Sequence, residues 1–168
     1  MMKINQKSVC VRLLPYEYVC INGHAFIDYG LSDFAYGSFI LRNSNNEVRY
    51  SLAIEDIVFQ EVCKLVEYDE HILCDKDLND AELVQYVYSM TCDYAIDSGP
   101  FIVGQLPKCP TCRAEVKDWG DTSLGPKDMD VLPVTHYEWN QLTFREREAK
   151  VSEAIEEFIN DNYERVES

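Results

Sequence analysis

Alternating hydrophobic and polar residues in the first part of the chain predict β-strands. Residues 36–42 and 47–53 are rich in β-forming side chains, and the Asn- and Ser-rich segment between them favours a tight turn. These two runs therefore predict a β-hairpin. Residues 7–14 predict a further strand that ends before Pro15, and residues 16–21 predict a short strand after it, because a proline interrupts strand pairing.

Helical spacing of apolar residues begins at residue 54. The helix predicted over 54–66 has an inward face of aliphatic side chains, Ile54, Ile57, Val58, Val62, Leu65 and Val66. A second helix is predicted over 80–91, with Asn79 as its N-cap. The last helix is predicted over 143–163, where Thr143 and Glu146 form a capping-box pattern.

Further short strands are predicted at 71–75, 101–106, 113–117 and 130–137. Strands and helices do not alternate regularly, which favours an α+β fold over a doubly wound parallel sheet. The sequence thus predicts a mostly antiparallel sheet with about three helices. A chain of 168 residues can bury a substantial core, so we expect a single globular domain over residues 1–168.

The composition is typical of a globular protein, with 46% hydrophobic and 27% charged residues. The first residues lack the apolar stretch of a secretory signal, and no apolar run approaches the length of a membrane span. Seven cysteines are an odd number, and five of them are scattered singly, which favours reduced thiols over a disulfide framework. These features predict a cytoplasmic protein.

Acidic side chains are concentrated in the second part of the chain. The net charge is −15, and the densest stretch, residues 67–97, has nine acids against one lysine. Such a surface repels nucleic acid and anionic membranes and attracts basic surfaces, although it also serves solubility alone. We therefore predict a basic protein partner, no nucleic acid and no membrane. The candidate contact residues are Asp69, Glu70, Asp75, Asp77, Asp80, Glu82 and Tyr86.

The clearest local motif is Cys109-Pro110-Thr111-Cys112, inside a predicted ribbon at about 101–119. A C-P-x-C turn between strand-like segments resembles a rubredoxin-type zinc knuckle, in which both thiolates face one tetrahedral ion. The same letters also resemble the dithiol of thioredoxin-like enzymes. That reading is less favoured, because the residues after Cys112 are too strand-like for the helix that activates such a thiol.

One knuckle supplies half of a zinc site, and two other places offer the second half. Cys20 and His24 lie four residues apart in a glycine-containing turn. His71 and Cys74 lie three apart in a segment predicted as a strand, where their side chains would point to opposite faces. We therefore predict a structural zinc site formed by Cys109, Cys112, Cys20 and His24.

Catalytic motifs are weak in this chain. There are three histidines, no P-loop and no glycine-rich dinucleotide fingerprint, and no nucleophile can be paired with a base. Missing motifs do not exclude an enzyme, but the sequence favours a binding protein.

Residues 135–148 read Thr-His-Tyr-Glu-Trp-Asn-Gln-Leu-Thr-Phe-Arg-Glu-Arg-Glu and precede an acidic amphipathic helix. This ending resembles bacterial immunity proteins encoded beside polymorphic toxins, such as those of contact-dependent inhibition. The resemblance covers about the last third of the chain and implies a cytosolic inhibitor that masks a cognate toxin, often a basic nuclease. Immunity families share no common fold, so no residue role carries over. A zinc-ribbon protein of assembly or regulation and, less favoured, a thiol-redox enzyme are the alternatives.

Overall fold

The structure, a computed structural model, describes residues 7–32 and 37–167, with side chains up to residue 162. It divides into two compact units, each made from two separate stretches of chain. We call Met1–Leu52 with Tyr94–Val134 the sheet unit, and Ala53–Asp93 with Thr135–Ser168 the helical unit. The described strands all lie in the first unit and the described helices in the second. The predicted α+β class is confirmed.

The sheet unit contains a mixed sheet of seven described strands. They are β1 (Val9–Cys20), β2 (Ala25–Gly30), β3 (Phe39–Arg42), β4 (Val48–Ser51), β5 (Ile102–Val103), β6 (Val116–Asp121) and β7 (Lys127–Pro133). The order is β2-β1-β7-β4-β3-β5, and β6 also pairs with β1. Every pair is antiparallel except β4 with β7, as expected for a mostly antiparallel sheet.

Strand β1 is longer than the sequence suggests, because Pro15 does not end it. The pairing of β1 with β7 stops at Leu13, and its pairing with β6 starts at Tyr16. Pro15 thus lies between these two ladders and faces only β2, opposite Tyr29. A proline is tolerated where its missing N–H leaves no ladder bond unmade. The two predicted strands are consequently one.

The predicted hairpin is confirmed as β3 and β4. In its turn, the Asn43 side chain accepts hydrogen bonds from the backbone N–H groups of Asn45 and Glu47 at 3.0 and 2.9 Å. Asn46 adopts a left-handed backbone with φ of 62°, a conformation that asparagine tolerates better than most residues. The Asn-rich turn therefore provides both the hydrogen bonds and the backbone freedom that the hairpin needs.

The helical unit contains five described α-helices. They are α1 (Ile57–Glu67), α2 (Glu70–Cys74), α3 (Ala81–Met90), α4 (Tyr137–Asn140) and α5 (Phe144–Glu167). The three longer helices were predicted, and α5 begins with the predicted capping box. The Thr143 N–H donates to Glu146 at 3.0 Å, and the Glu146 N–H donates to the Thr143 hydroxyl at 3.2 Å. Among the described helices, none combines the length and the apolarity needed to cross a membrane.

Several local predictions were wrong. The strand predicted over 71–75 is α2, which Asp69 caps by accepting the backbone N–H of His71. Helix α3 is capped by Asp80 rather than by Asn79. The strands predicted on either side of the C-P-x-C motif do not pair with each other, since β5 pairs with β3 and β6 pairs with β1.

Helix α1 buries a narrower stripe than its sequence predicts. Val58, Val62 and Val66 are buried, whereas Ile54 and Ile57 are 65% and 79% exposed. Residues 53–55 form a separate 3₁₀ turn before the helix, which removes Ile54 from the helical register. Ile57 is the first helical residue and lies one position away from the buried valine stripe.

Candidate metal centre

The four predicted ligands lie together in the sheet unit. The ligand atoms of Cys20, His24, Cys109 and Cys112 are all within 4.8 Å of one another, a group that could hold a metal such as zinc. Two of these residues come from the β1–β2 turn and two from the turn that precedes β6. The alternative histidine, His71, lies in the helical unit, where its Nδ1 is 2.9 Å from an Asp69 carboxylate oxygen.

The first turn folds His24 back over Cys20, the last residue of β1. The Cys20 N–H donates to the His24 carbonyl, and the Gly23 N–H donates to the Cys20 carbonyl, both at 2.9 Å. Gly23 has a φ of 86°, which glycine adopts without a side-chain clash. The His24 N–H also points at the Cys20 sulfur at 3.4 Å. This turn therefore presents a thiol and an imidazole on the same side.

The second turn, the knuckle at Cys109–Cys112, is closed by two backbone hydrogen bonds. The Cys109 N–H donates to the Ala114 carbonyl at 2.9 Å, and the Arg113 N–H donates to the Cys109 carbonyl at 2.8 Å. Arg113 has a φ of 62°, the left-handed conformation that favours glycine, so this knuckle has an arginine where glycine would be less strained. The Arg113 guanidinium donates to the Ser44 carbonyl at 3.2 Å, which helps to hold the turn.

Strand pairing brings the two turns together. Cys20 pairs with Val116 at the end of the β1–β6 ladder, and the Ile21 N–H continues it with a 2.9 Å bond to the Glu115 carbonyl. On the other side, Asn46 forms two 2.8 Å hydrogen bonds with the backbone of Lys108, the residue before Cys109. Hydrogen bonds therefore hold both ends of the knuckle without any contribution from the ligand atoms.

The spacing of the ligand atoms agrees with a tetrahedral ion. Zinc bonds of about 2.3 Å to sulfur and about 2.0 Å to nitrogen require edges of about 3.8 Å between sulfurs and about 3.5 Å between sulfur and nitrogen. The Cys20 and Cys112 sulfurs are 3.7 Å apart. The His24 Nδ1 is 3.5, 3.3 and 3.7 Å from the sulfurs of Cys20, Cys112 and Cys109. These four edges therefore lie within a few tenths of an ångström of the tetrahedral values.

Hydrogen bonds favour the thiolate form of the knuckle cysteines. The Asn22 amide, 3.4 Å from the Cys112 sulfur, together with the Ala114 N–H, lowers the pKa of Cys112 to about 7. Burial opposes a charge on Cys109, but the backbone N–H groups of Cys112 and Thr111 outweigh it and lower the pKa of Cys109. Thiolate is the form in which cysteine binds metals. Of the four ligand residues, only His24 is exposed.

The acids predicted to contact a partner lie in the helical unit, and three of them also cap helical turns. Asp69 caps α2, Asp75 caps the 3₁₀ turn at Lys76–Leu78, and Asp80 accepts the Leu83 N–H at 2.8 Å. A carboxylate at a helix start is stabilising because it satisfies unpaired N–H groups. The density of acids in this stretch therefore has a local structural cause in addition to any role in binding.

The remaining predicted contact residues differ in exposure. Glu70, Asp77 and Glu82 are exposed. Tyr86 is half-buried, its ring packs beside Phe158 with centroids 5.4 Å apart, and its hydroxyl donates to Glu157 at 3.2 Å. The three acids are thus available at the surface, whereas the Tyr86 side chain already has partners within the helical unit.

The helical unit also contains a half-buried polar cluster around His136, which no sequence motif indicates. The His136 Nε2 is 2.8 Å from the Asp56 carboxylate, and its Nδ1 is 3.0 Å from the Thr91 carbonyl. The Tyr88 hydroxyl donates to the same Asp56 oxygen at 2.5 Å. With an acceptor at each ring nitrogen, the imidazole is best satisfied when both nitrogens carry a proton.

The charges in this cluster favour an ion pair. Burial disfavours the imidazolium, but the Asp56 carboxylate, contact with Cys92 and the Thr91 carbonyl outweigh it and raise the pKa of His136 to about 10. Burial likewise disfavours the carboxylate, yet the bonds from His136 and Tyr88 lower the pKa of Asp56. Asp56 also caps α1 by accepting the Val58 N–H at 2.9 Å. The pair consequently ties the start of α1 to the residue before α4.

Formal charge is divided unevenly between the two units. The helical unit carries 20 acidic and 6 basic side chains, a net charge of −14, and the sheet unit carries 10 and 9, a net charge of −1. The acidity that the sequence showed in residues 67–97 is therefore part of a wider property of the helical unit. The metal centre lies in the nearly neutral unit.

Comparison with protein-family models, with curated proteins and with solved structures finds no match to this chain. The resemblance to immunity proteins therefore stays a prediction. What can be inferred about function comes from the residues of the metal centre and from the charge of the helical unit.

Proposed function

We propose that Cys20, His24, Cys109 and Cys112 bind one structural zinc ion, and that the sheet unit depends on it. The observation that carries this proposal is the spacing of the ligand atoms: four of their six separations agree with the edges of a zinc tetrahedron, and all lie within 4.8 Å. Three thiolates and one imidazole form a ligand set that is common in structural zinc sites.

A structural role is favoured over a catalytic one because the protein supplies four ligands. A catalytic zinc usually has three protein ligands and keeps its fourth position for water or substrate. Here Cys20 and Cys109 are both fully buried, with 0% of their surface exposed. The ion would link the β1–β2 turn to the turn before β6, two places far apart in sequence, and such a link strongly favours the folded state.

The test is metal content combined with thermal unfolding. We expect about one zinc per purified chain by mass spectrometry, and near-complete loss in the Cys109→Ser/Cys112→Ser variant. The melting temperature of that variant should fall by roughly 10 °C or more, because structural zinc contributes several kcal/mol. The matched control is Cys10→Ser/Cys74→Ser, which removes two exposed cysteines outside the cluster.

This control should keep both its zinc and its melting temperature. A parent protein that binds no zinc, with a double variant that melts like the parent, would show the knuckle to be dispensable. Rapid alkylation of Cys109 at neutral pH in such a metal-free protein would instead favour the thiol-redox alternative.

The second candidate function is that of an acidic inhibitor that binds a basic protein, as an immunity protein does. The specific observation in its favour is the net charge of −14 on the helical unit against −1 on the sheet unit. A strong one-sign field attracts an oppositely charged partner and accelerates its association. For an inhibitor of a basic nuclease, such a surface would compete with nucleic acid for the same cationic groups. The two proposed functions are compatible with each other.

Charge-neutralising variants test the second function. Glu70→Gln/Asp77→Asn/Glu82→Gln removes three exposed charges from the helical unit without touching a helix cap. The matched control, Glu17→Gln/Asp118→Asn/Asp128→Asn, removes three exposed charges from the sheet unit. The parent protein is used as bait to capture partners from source-cell lysate. The association rate of the main basic partner with the parent and with each variant is then measured at low salt.

We expect the first variant to associate at least about threefold more slowly than the parent, with the control unchanged, since association between opposite charges is electrostatically steered. The parent should also inhibit the activity of the captured protein at a 1:1 ratio. Equal slowing by both variants, or a captured partner that is not basic, would contradict a role for the helical-unit acids.

A further inference from the structure

An apolar groove runs along α1 in the helical unit. It has a volume of about 480 Å³ and is bordered by α1, by the residues that follow it and by the start of α5. Its apolar lining consists of Ile57, Leu65, Tyr68 and Phe144. Three of these side chains are largely exposed, Ile57 at 79%, Tyr68 at 72% and Phe144 at 62%.

The exposed apolar side chains lie next to one another in space, and such clustering is unusual. Single exposed apolar residues are normal, but a clustered set on a protein surface commonly marks an interaction site. Ile57 and Leu65 were expected in the core from their helical spacing, and the described fold leaves Ile57 on the surface. The groove is therefore a place where the sequence encodes an apolar face that the helical unit itself does not cover.

Helix α1 forms one wall of the groove. Residues 57, 61, 65 and 68 recur at intervals of four, four and three, so three residues of α1 and its C-cap, Tyr68, lie on one side of the helix. The eleven residues of α1 span about 16 Å, equal to three helical turns. Glu61, in the middle of this face, is held by Arg147 at 2.9 Å and by the Trp139 indole N–H at 2.8 Å, which makes that wall rigid.

The charge around the groove indicates whether its ligand is cationic or anionic. Its lining has the acids Asp69 and Glu148 against one base, Lys64, while the Glu61 carboxylate is already paired with Arg147. This local excess lies within a unit whose net charge is −14. An apolar floor with acidic surroundings is complementary to a helix with an apolar stripe and cationic flanks, as in other helix-in-groove complexes.

We infer that this groove binds a short amphipathic, basic helix of a partner protein, and this rests on the second proposed function, the binding of a basic protein. Apolar side chains of the partner helix would pack on Ile57, Tyr68 and Phe144, and its lysines or arginines would face the acids of the helical unit. The groove would supply specificity, because charge alone attracts any cation.

The probe is a fluorescein-labelled 18-residue peptide of leucine and lysine with helical spacing, titrated with the full-length protein and followed by fluorescence anisotropy. A second peptide has serine at every leucine position and the same charge. The test variant is Ile57→Ser/Phe144→Ser. The matched control is Leu73→Ser/Ile96→Ser, which removes two side chains that are 57% and 99% exposed and do not line the groove.

We expect the leucine–lysine peptide to bind the parent and the control with dissociation constants within about twofold of each other. The groove variant and the serine–lysine peptide should each weaken binding by at least about tenfold, as loss of central apolar anchors does. Equal binding by the parent and the groove variant would overturn the inference. So would a parent dimer in sedimentation that the groove variant abolishes, since a second copy would then occupy the groove.

The two peptides separate failure of the groove from failure of the partner function. Equal affinity for both peptides would show that the acidic surface binds cations without the groove, and the second proposed function would stand. If neither peptide binds, the result would count against both the groove inference and the second proposed function.

Discussion

His136 and Asp56 are the two residues whose protonation couples most directly to folding of the helical unit. Their 2.8 Å contact joins residues 80 positions apart, and both groups are largely removed from solvent. An unfolded histidine has a pKa of about 6.5, whereas the folded environment raises the pKa of His136 to about 10. Folded protein therefore retains a proton over a pH range in which unfolded protein releases it.

The sign of the resulting pH dependence follows from linkage. From about pH 6.5 down to about pH 4, both states hold the His136 proton and Asp56 is ionised, so the ion pair contributes fully. As pH rises from about 6.5 to 10, the contribution falls by at most about 1.4 kcal/mol per pH unit, and above that range it is lost. We predict that the free energy of unfolding by urea declines more steeply over this interval in the parent than in His136→Gln.

The matched control is His71→Gln. His71 also contacts a carboxylate, that of Asp69 at 2.9 Å, but its side chain is 37% exposed. A change in pH slope that His136→Gln shows and this variant does not is specific to the pair of His136 and Asp56. A parent slope identical to that of His136→Gln would mean that His136 titrates alike in the folded and unfolded states.

Two pairs of residues show which contacts could be predicted from the local sequence and which could not. Cys20 and His24 could be paired from sequence because one five-residue turn contains both, and glycine at position 23 permits that turn. Asp56 and His136 could not, since neither has a neighbouring motif and only the packing of distant segments brings them together. The signal available beforehand was the scarcity of histidine, three in the chain, which makes each one worth placing.

At the scale of elements, the question is whether the acids of residues 67–97 stabilise helices or only contribute surface charge. The start of α3 offers a test. Asp80 caps this helix through its 2.8 Å bond from the Leu83 N–H. We predict that Asp80→Ala lowers the free energy of unfolding by about 1 kcal/mol, because a helix N–H loses its acceptor. The free energy of unfolding of Asp80→Asn should stay within a few tenths of a kcal/mol of the parent value, since asparagine caps equally well. Equal losses in both variants, measured by urea unfolding, would assign the effect to charge instead.

The elements that the sequence predicted are those with strong periodicity or clear turn chemistry. The hairpin β3–β4 and helices α1, α3 and α5 are of this kind. Helix α2 was taken for a strand because its five residues are too few to establish a period. Strand β1 continues through Pro15 because its partner strands change at that point, which no local pattern records.

At the scale of the whole chain, each unit is built from segments that are distant in sequence. The sheet unit needs Met1–Leu52 and Tyr94–Val134, and the helical unit takes the stretches between and after them. Sequence could predict the α+β class from irregular alternation of elements, but not this interleaving. The reason for preferring Cys20 and His24 to His71 and Cys74, that the latter would point to opposite faces of a strand, was wrong because His71 and Cys74 lie in helix α2. The structure nevertheless places Cys20 and His24 beside the knuckle, in the same unit.

This organisation gives a prediction about where metal removal acts. The proposed zinc would join β1, β2 and β6 across a sequence separation of about 90 residues, and such long-range links restrict the unfolded chain most. Chelation should therefore loosen the sheet unit first. In hydrogen exchange followed by mass spectrometry, we predict at least about tenfold faster exchange in peptides covering 16–30 and 105–121.

Peptides covering α1, α3 and α5 are the internal control, because their packing lies within the helical unit and involves none of the four ligands. Their exchange should change by no more than about twofold, since different regions of a protein open with separate free energies. Uniform acceleration in every peptide would mean that the two units unfold together. Unchanged exchange at the knuckle after complete zinc removal would mean that strand pairing and the Asn46 clamp hold the two turns together unaided.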